Sequence, residues 1–304
     1  MGEMIFIRAD DAIAELSRLA MNKSLVYRGY SQQSELFPKI IRDKNLIRYE
    51  IEFLAEFEKF GLQYFNVNSA IDFMSYAQHF GLPTRLLDFT YNPFTALYFS
   101  LYAPKRDNYI NAEDREYYYI RYCDLSEHIV FNALPMVLNN ADVTMKADSL
   151  TYLCQKAFYT VEMILRKLKE EYDEKKPDTK LIMSYFYTIY RTSHGHDMII
   201  NPKDFDLFIN TFINKYDNNK IMFIDANQCN NRIIMQQGLF MFPYILEKDK
   251  HEEILYKNTN VIKFHKDIRT ELISFLETLG LNSFRLMPDL PSICNAINRK
   301  ILGE

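Results

Sequence analysis

The sequence predicts an α+β fold in which helices surround a mixed, mainly antiparallel sheet. Four segments have the composition of strands, namely residues 24–30, 84–90, 116–122 and 238–242. Longer stretches between them carry apolar residues at helical spacing. Because no internal repeat or long linker divides the sequence, we expect residues 1–304 to form a single domain, with a helical insertion at 124–215.

The first hundred residues alternate between helix and strand signals. Helical periodicity covers residues 9–22, 46–64 and 70–80. Gly81 is predicted to end the third helix because glycine adopts the left-handed conformation at a helix end. A further helix should begin at Pro93, capped by Thr90 or Asn92.

The second half of the chain is less regular. Helices are expected at 150–172, 204–213, 265–279 and 292–301, the third of them ending at Gly280. Strands are expected at 220–225 and 260–264, and a strand with a turn at 283–291. Residues 181–190 fit either a strand or a helix. The polar segment 193–197 contains two histidines, but their short spacing predicts a plain loop and no metal site.

Composition bounds the class of protein. Hydrophobic residues make up 48% of the 304, so a large core is available, and the net charge of −4 argues against a general electrostatic nucleic-acid binder. The four cysteines are far apart, which is typical of free thiols in a reducing cytosol. The N-terminus lacks a signal-peptide pattern, and no window approaches the roughly 20 apolar residues of a membrane span. We therefore expect a cytoplasmic protein without a membrane partner.

Unusual polar residues are concentrated in one stretch. It contains Gln78, His79, Thr84, Arg85, Asp88 and Thr90 between two apolar runs. Charged side chains in such surroundings are costly unless they are paired, so the stretch predicts a site. Arg85 and Asp88 lie three apart on a predicted strand, so they point to opposite faces and need other partners.

Two other segments carry candidate residues. Arg28 stands in the middle of a strand and precedes Gly29, which permits close approach by a ligand or a bulge; a surface ion pair is the alternative. Glu50 is either a solvated charge or turned inward to hold Arg28 or Arg42. Gln236, with Gln237 next to it, precedes Gly238 inside an apolar run and needs partners if buried.

Three motifs together resemble the FRG domain, a bacterial family. They are Tyr27-Arg28-Gly29, residues 77–90 (Ala-Gln-His-Phe-Gly-Leu-Pro-Thr-Arg-Leu-Leu-Asp-Phe-Thr), and Arg232 with Gln236 and Gly238-Leu239-Phe240. Residues 287–290 also resemble the end of many members, so the likeness spans about 24–300. Phe89 stands where Trp is usual, and Met287 where Phe is usual. The family context would fit a toxin or a phage-defence effector.

A weaker resemblance is to ADP-ribosyltransferases, and it implies their fold and NAD as the substrate that supplies ADP-ribose. It implies a cofactor-binding set of Arg28, Gly29, Thr84, Arg85, Thr90 and Tyr91. Tyr30, Phe89 and Tyr91 are the aromatic candidates for stacking on nicotinamide. The implied catalytic residues are Gln236 (or Gln237), His79 and Asp88. The sequence departs from that class because it lacks a clear catalytic Glu and a Ser-Thr-Ser motif.

Two functions of different class follow. The first is transfer of ADP-ribose from NAD to a protein or nucleic-acid acceptor, or hydrolysis of NAD. The second is a non-catalytic sensor or interaction module whose Arg/Asp/His network is structural, with Arg85 paired to Asp88 or Glu50 and Arg28 paired to Asp88. We expect Arg85 and Asp88 to be partly structural, and Arg28 and Gln236 to face the ligand.

Overall fold

The fold is taken from a computed structural model of the chain. The structure describes residues 2–64, 70–102, 115–131, 220–225, 231–243 and 246–302. The predicted elements at 150–172, 181–190 and 204–213, and the loop at 193–197, lie outside the described residues. Among the described residues, no helix is both long and apolar enough to cross a membrane.

Helices and strands alternate from the N-terminus. The first elements are β1 (Glu3–Phe6), α1 (Ala9–Ala20), β2 (Leu25–Tyr30), α2 (Lys39–Arg42), α3 (Glu50–Gly61), α4 (Ala70–His79), β3 (Leu87–Thr90) and α5 (Pro93–Leu101). They are followed by β4 (Tyr117–Asp124), β5 (Ile129–Phe131), β6 (Met222–Ile224), α6 (Asn231–Gln236), β7 (Gly238–Met241), α7 (Lys248–Asn258), β8 (Asn260–His265), α8 (Arg269–Thr278), α9 (Ser283–Leu286) and α10 (Leu290–Leu302).

The strands form one eight-stranded sheet in the order β1-β8-β4-β2-β3-β7-β6-β5. The β1–β8 and β5–β6 pairs are parallel, and the other pairs are antiparallel. This confirms the predicted α+β class with a mixed, mainly antiparallel sheet. The predicted strands at 24–30, 84–90, 116–122 and 238–242 correspond to β2, β3, β4 and β7, which are consecutive neighbours in the sheet. The strands expected at 220–225 and 260–264 correspond to β6 and β8.

The sheet opens between β2 and β3. These two strands are in register only at Tyr27 and Thr90, whereas β2 and β4 pair along the whole length of β2, from Leu25 to Tyr30. Beyond Tyr27, the second half of β2 therefore separates from the first residues of β3. The sheet consists of two halves that join at a single position, with a gap next to Arg28.

The sheet has a packed core on each face. One core contains Tyr27 of β2 and buried residues of α1, α5 and α8, and the other contains Val26 of β2 and Phe89 of β3. Neighbouring residues of β2 thus enter opposite cores, as the alternation of side chains along a strand requires. Both faces of β2 are covered, which fixes its position beside the gap.

Helix α5 packs directly against β2 at Gly29. A Cβ atom at position 29 would lie 1.7 Å from the Ala96 carbonyl oxygen. The close backbone approach that the sequence predicted at Gly29 is therefore made by a helix. Asn92 caps this helix by accepting hydrogen bonds from the Phe94 and Thr95 amides, which resolves the two capping alternatives.

Some element boundaries differ from the sequence-based predictions. Residues 283–291 form α9 and the start of α10 instead of a strand, because the Asn282 side chain caps α9 at the Arg285 amide. The described part of the predicted insertion, residues 124–131, contains the end of β4, a 3₁₀ turn and β5. Gly81 and Gly280 end helices with φ of 97° and 69°, as expected.

Replacing Gly29 should destabilise the protein through the contact between α5 and β2. We expect Gly29→Ala to lower the free energy of unfolding by about 1–3 kcal/mol, because the added methyl group has no space. Chemical denaturation measures this change. Gly2→Ala is the matched control, since its Cβ would meet its nearest neighbour at 3.8 Å. Equal stabilities for the two variants would contradict this packing.

Candidate functional site

A cleft occupies the region where β2 and β3 separate. It has two adjoining lobes of about 200 and 230 Å³. The residues that line both lobes, and so form their junction, are Arg28, Arg42, Asp88, Arg232 and Gln236. All three sequence motifs contribute to this junction. Residues that are distant in sequence therefore meet at one site.

The two lobes differ in chemistry. The first, which we call the aromatic lobe, is lined by Tyr27, Phe89, Phe99, Tyr102 and Met287 together with polar groups. The second, which we call the polar lobe, is lined by Lys39, Ser75, Gln78 and His79, with several apolar side chains behind them. A ring would find apolar contacts in the first lobe, and an anion would find hydrogen-bond donors in the second.

Arg28 is held by main-chain carbonyl groups. Its Nε donates to the Glu35 carbonyl oxygen at 3.1 Å, Nη2 donates to the same oxygen, and Nη1 donates to the Asp88 carbonyl oxygen across the gap between β2 and β3. Burial lowers the pKa of Arg28 to about 10, while the nearby negative charge of Asp88 acts to raise it. Arg28 therefore stays cationic at neutral pH. These bonds use three of the five guanidinium N–H donors.

A short chain of hydrogen bonds positions Asp88. The Asp88 side chain is exposed, and its Oδ1 accepts from Gln78 Nε2 at 2.7 Å. Gln78 Oε1 in turn accepts from the buried Thr84 hydroxyl at 2.6 Å. Thr84, predicted as a cofactor-binding residue, therefore supports Gln78 from behind and is not among the residues lining the two lobes.

Arg85 lies in a buried ion pair instead of the cleft. Its Nε and Nη2 donate to the two carboxylate oxygens of Glu50 at 2.9 and 2.6 Å. Glu50 is thus turned inward, and its partner is Arg85, as one alternative of the structural network predicted, instead of Arg28 or Arg42. Arg85 is not among the residues that line either lobe, so its predicted cofactor-binding role is replaced by a structural one. As expected, Arg85 and Asp88 do not pair with each other.

The third motif places Gln236 in the cleft and Gln237 outside it. Gln236 is buried and its Nε2 donates to the Leu286 carbonyl oxygen at 2.8 Å. Its own carbonyl oxygen accepts from the Thr90 hydroxyl at 2.6 Å, which joins β3 to the end of α6. Gln237 is exposed and ends the helix with φ of 49°. Gln236 is therefore the glutamine available to the site.

Two other predicted cofactor-binding residues have structural contacts. Gly29 lines the aromatic lobe, but the space next to its Cα is filled by α5. Tyr91 is hydrogen-bonded to Asp225, and burial with this neighbouring charge raises the pKa of Tyr91 to about 12. Tyr91 is not among the residues that line the lobes, and Tyr30 stacks on Tyr119 with ring centroids 5.1 Å apart. The aromatic candidates at the cleft are therefore Phe89, Phe99 and Tyr102.

His79 faces the polar lobe as a neutral side chain. Burial, and then the nearby charge of Arg232, lower the pKa of His79 from 6.5, while Asp289 and Asp88 act in the opposite direction. Its Nδ1 has no hydrogen-bond partner among the described residues. The described residues also contain no cluster of His, Cys, Asp and Glu that could hold a metal ion. His79 is thus available to accept a proton from a ligand or to donate one to it.

Comparison with known proteins identifies one part of the chain. The family model of the FRG domain matches residues 23–109. This segment is an FRG domain. It begins just before β2 and includes the first two motifs, and thus Arg28, His79 and Asp88. Searches of curated proteins and of solved structures found no match.

Several cleft residues were not among the candidates from the sequence. Arg42 and Arg232 line both lobes, Lys39 lines the polar lobe, and Phe99 and Tyr102 line the aromatic lobe. Arg232 could have been found, since it begins the third motif. Lys39 has no distinguishing sequence signal, because it is an ordinary lysine in a short helix. Only tertiary packing brings that helix to the cleft.

The two carboxylates Glu50 and Asp88 should respond differently to neutralisation. We expect Glu50→Gln to lower the free energy of unfolding by about 3–5 kcal/mol, because Arg85 would lose its buried counter-charge. Asp88→Asn should change it by no more than about 0.5 kcal/mol, since Asp88 is exposed. Denaturant titrations of both variants measure the difference. A large loss for Asp88→Asn would make Asp88 a structural anion.

Proposed function

We propose that the cleft binds NAD and that the protein transfers ADP-ribose from it to a protein or nucleic-acid acceptor. The observation that carries this proposal is the meeting of Arg28, Arg42 and Arg232 at the junction of an aromatic and a polar lobe. NAD has a matching arrangement, with a pyrophosphate between two nucleosides. The weaker resemblance to ADP-ribosyltransferases supports the same ligand.

The arginines suit the pyrophosphate. A guanidinium group presents planar pairs of donors that match two phosphate oxygens, and such charge-assisted bonds are stronger than neutral ones. Arg28 retains two N–H donors beyond its bonds to Glu35 and Asp88, and these bonds fix its orientation before a ligand arrives. Preorganised charge reduces the entropy lost on binding.

The nicotinamide ring would lie in the aromatic lobe. Phe99 and Tyr102 are partly exposed there, and the Tyr102 ring is itself stacked on Tyr98 at 4.5 Å between centroids. A planar cationic ring gains both apolar contact and attraction to an aromatic face. This placement leaves the bond between nicotinamide and ribose near the junction, where Asp88 and Gln236 lie.

The chemistry would proceed by cleavage of that glycosidic bond. Nicotinamide leaves with the bonding electron pair, and the ribose becomes oxocarbenium-like. The Asp88 carboxylate would stabilise the developing positive charge, and Gln236 Oε1 would accept from a ribose hydroxyl. The acceptor forms a new bond to the anomeric carbon and gives its proton to neutral His79. Water in place of the acceptor would give NAD hydrolysis.

A second candidate function is nucleotide binding without turnover, as in a sensor or interaction module. Two observations favour it. The third motif has Gln236 where a catalytic Glu would stand, and the Gln236 amide already donates to the Leu286 carbonyl oxygen. Release of nicotinamide from NAD distinguishes the two functions, because a binding module retains the dinucleotide intact.

Removing a junction arginine should weaken NAD binding. We expect Arg42→Ala and Arg232→Ala each to raise the Kd for NAD and ADP-ribose about tenfold or more, because a charged hydrogen bond contributes about 1.5–3 kcal/mol. Isothermal titration calorimetry measures the Kd. Arg8→Ala is the control, since Arg8 is exposed near the far edge of the sheet. Wild-type affinity in both cleft variants would rule out this placement of the pyrophosphate.

The pH dependence of turnover should identify His79 as the base. A base must be unprotonated, so activity should rise as pH increases through the lowered pKa of His79 and level off above it. We therefore expect the rising part of the pH–rate profile below pH 6.5 and its loss in His79→Gln. Nicotinamide release measures the rate, and calorimetry checks that NAD still binds. An unchanged profile in His79→Gln would exclude this role.

A further inference from the structure

The carboxylate of Glu35 closes the turn that follows β2. Its Oε2 accepts hydrogen bonds from the Ser31 amide at 2.7 Å, the Ser31 hydroxyl at 3.1 Å and the Gln32 amide at 3.2 Å. The Glu35 amide in turn donates to the Gln32 carbonyl oxygen at 2.9 Å. One carboxylate oxygen therefore fixes the main chain of residues 31–35, which we call the Glu35 turn.

The main chain of the Glu35 turn is the part that holds Arg28. The Glu35 carbonyl oxygen accepts from both Nε and Nη2 of Arg28. A carbonyl group moves only with its peptide plane, so the turn sets its direction. The two polar groups of Glu35 therefore act in sequence. The carboxylate fixes the turn, and the carbonyl group of the turn orients the guanidinium.

Helix α7 supports this part of the chain independently of the carboxylate. Gln33 Nε2 donates to Glu252 Oε1 at 3.1 Å. Leu36, which follows the Glu35 turn, is fully buried, and its carbonyl oxygen accepts from His251 Nε2 at 3.1 Å. These contacts remain when the Glu35 carboxylate is removed. We therefore expect a variant of Glu35 to loosen the turn without unfolding the protein.

Glu35 also acts on Arg28 through its charge. Burial has the largest effect on the pKa of Arg28 and lowers it, whereas the negative charge of Glu35 has a smaller effect and raises it. A negative charge beside Arg28 opposes an anionic ligand, so charge alone predicts tighter binding when Glu35 is neutralised. Glutamine separates the two effects, because it keeps an acceptor oxygen and lacks the charge.

We propose that Glu35 is a positioning residue for Arg28. Its carboxylate fixes the turn whose carbonyl group holds the guanidinium in the cleft, with two N–H donors left for a ligand. This inference rests on the proposed function in one respect, namely that Arg28 binds the pyrophosphate of NAD. Without a fixed turn, the long Arg28 side chain must be ordered when the ligand binds, and this ordering weakens the affinity.

Glu35→Ala removes the acceptor oxygen, and Glu35→Gln keeps it. We expect Glu35→Ala to raise the Kd for NAD and for ADP-ribose about threefold to tenfold, because Arg28 loses its fixed position. Glu35→Gln should bind both at least as tightly as the wild type. In an Arg28→Lys background, Glu35→Ala should cause no further loss. Calorimetry measures each Kd, and thermal melting checks folding. Equal weakening in Glu35→Gln and Glu35→Ala, or additive losses with Arg28→Lys, would overturn the positioning role.

Asp124→Ala is the matched control, because Asp124 closes a turn of the same kind. Its Oδ1 accepts from the amide and the hydroxyl of Ser126 at 2.9 and 2.7 Å. Asp124 pairs with Leu25 at the other end of β2, and it is not among the residues that line the two lobes. Asp124→Ala should leave both Kd values unchanged. A loss of affinity equal to that of Glu35→Ala would count against a specific role for Glu35.

Ser31→Ala is a second variant for the case in which Glu35→Ala does not fold. It removes the hydroxyl donor to the carboxylate and leaves Glu35 in place. The readout is the exchange of the Arg28 Nε proton with water, measured by NMR on protein with isotope-labelled arginine. The signal is identified by its loss in Arg28→Lys. We expect faster exchange in Ser31→Ala than in the wild type, and wild-type exchange would contradict the proposal.

The same NMR measurement needs no ligand, so it separates this inference from the proposed function. The Arg28 Nε proton is bonded to the Glu35 carbonyl oxygen, and we expect it to exchange about tenfold faster in Glu35→Ala but not in Glu35→Gln or Asp124→Ala. Unchanged exchange in folded Glu35→Ala overturns the positioning role, while NAD binding can stand. Faster exchange, together with no binding of NAD or ADP-ribose by the wild type, overturns the proposed function and leaves the positioning of Arg28 standing.

Discussion

The hydrogen bonds of Arg28 are the contacts on which the cleft depends. β2 and β3 are in register at one position only, and the Arg28 guanidinium spans the gap beyond it to the Asp88 carbonyl oxygen. Its other donors hold the Glu35 carbonyl oxygen. Main-chain carbonyl groups need a donor, and Arg28 supplies one to each of these two oxygens where β2 and β3 are not in register. The gap between β2 and β3 and the Arg28 guanidinium that spans it therefore depend on each other.

The protein uses arginine in two different ways within one region. Arg85 is paired with Glu50 in a buried, bidentate contact, so its charge is neutralised locally. Arg28 is held by carbonyl groups, which supply hydrogen bonds but no negative charge. Two of its N–H donors therefore remain for a ligand, although the nearby charges of Asp88 and Glu35 partly offset its positive charge. This difference separates a structural arginine from a candidate binding arginine more clearly than burial does.

Several motif residues shape the site without lining it. Thr84 orients Gln78, which orients Asp88, and Thr90 ties β3 to the Gln236 carbonyl oxygen. Small hydroxyl side chains suit this role, since they satisfy buried polar groups in little space. A polar motif therefore contains residues of two kinds, and side-chain partners distinguish them. In this protein the supporting residues connect the motifs that meet at the cleft.

The sequence alone determined the α+β class, four central strands, the helix ends at Gly81 and Gly280, and the set of motifs from which the site is built. These features follow from local rules, since side-chain periodicity and the freedom of glycine act over a few residues. Tertiary structure decided which arginine meets Glu50, what approaches Gly29, and that Lys39 and Arg42 enter the cleft. Such choices depend on contacts between elements distant in sequence, which no local pattern records.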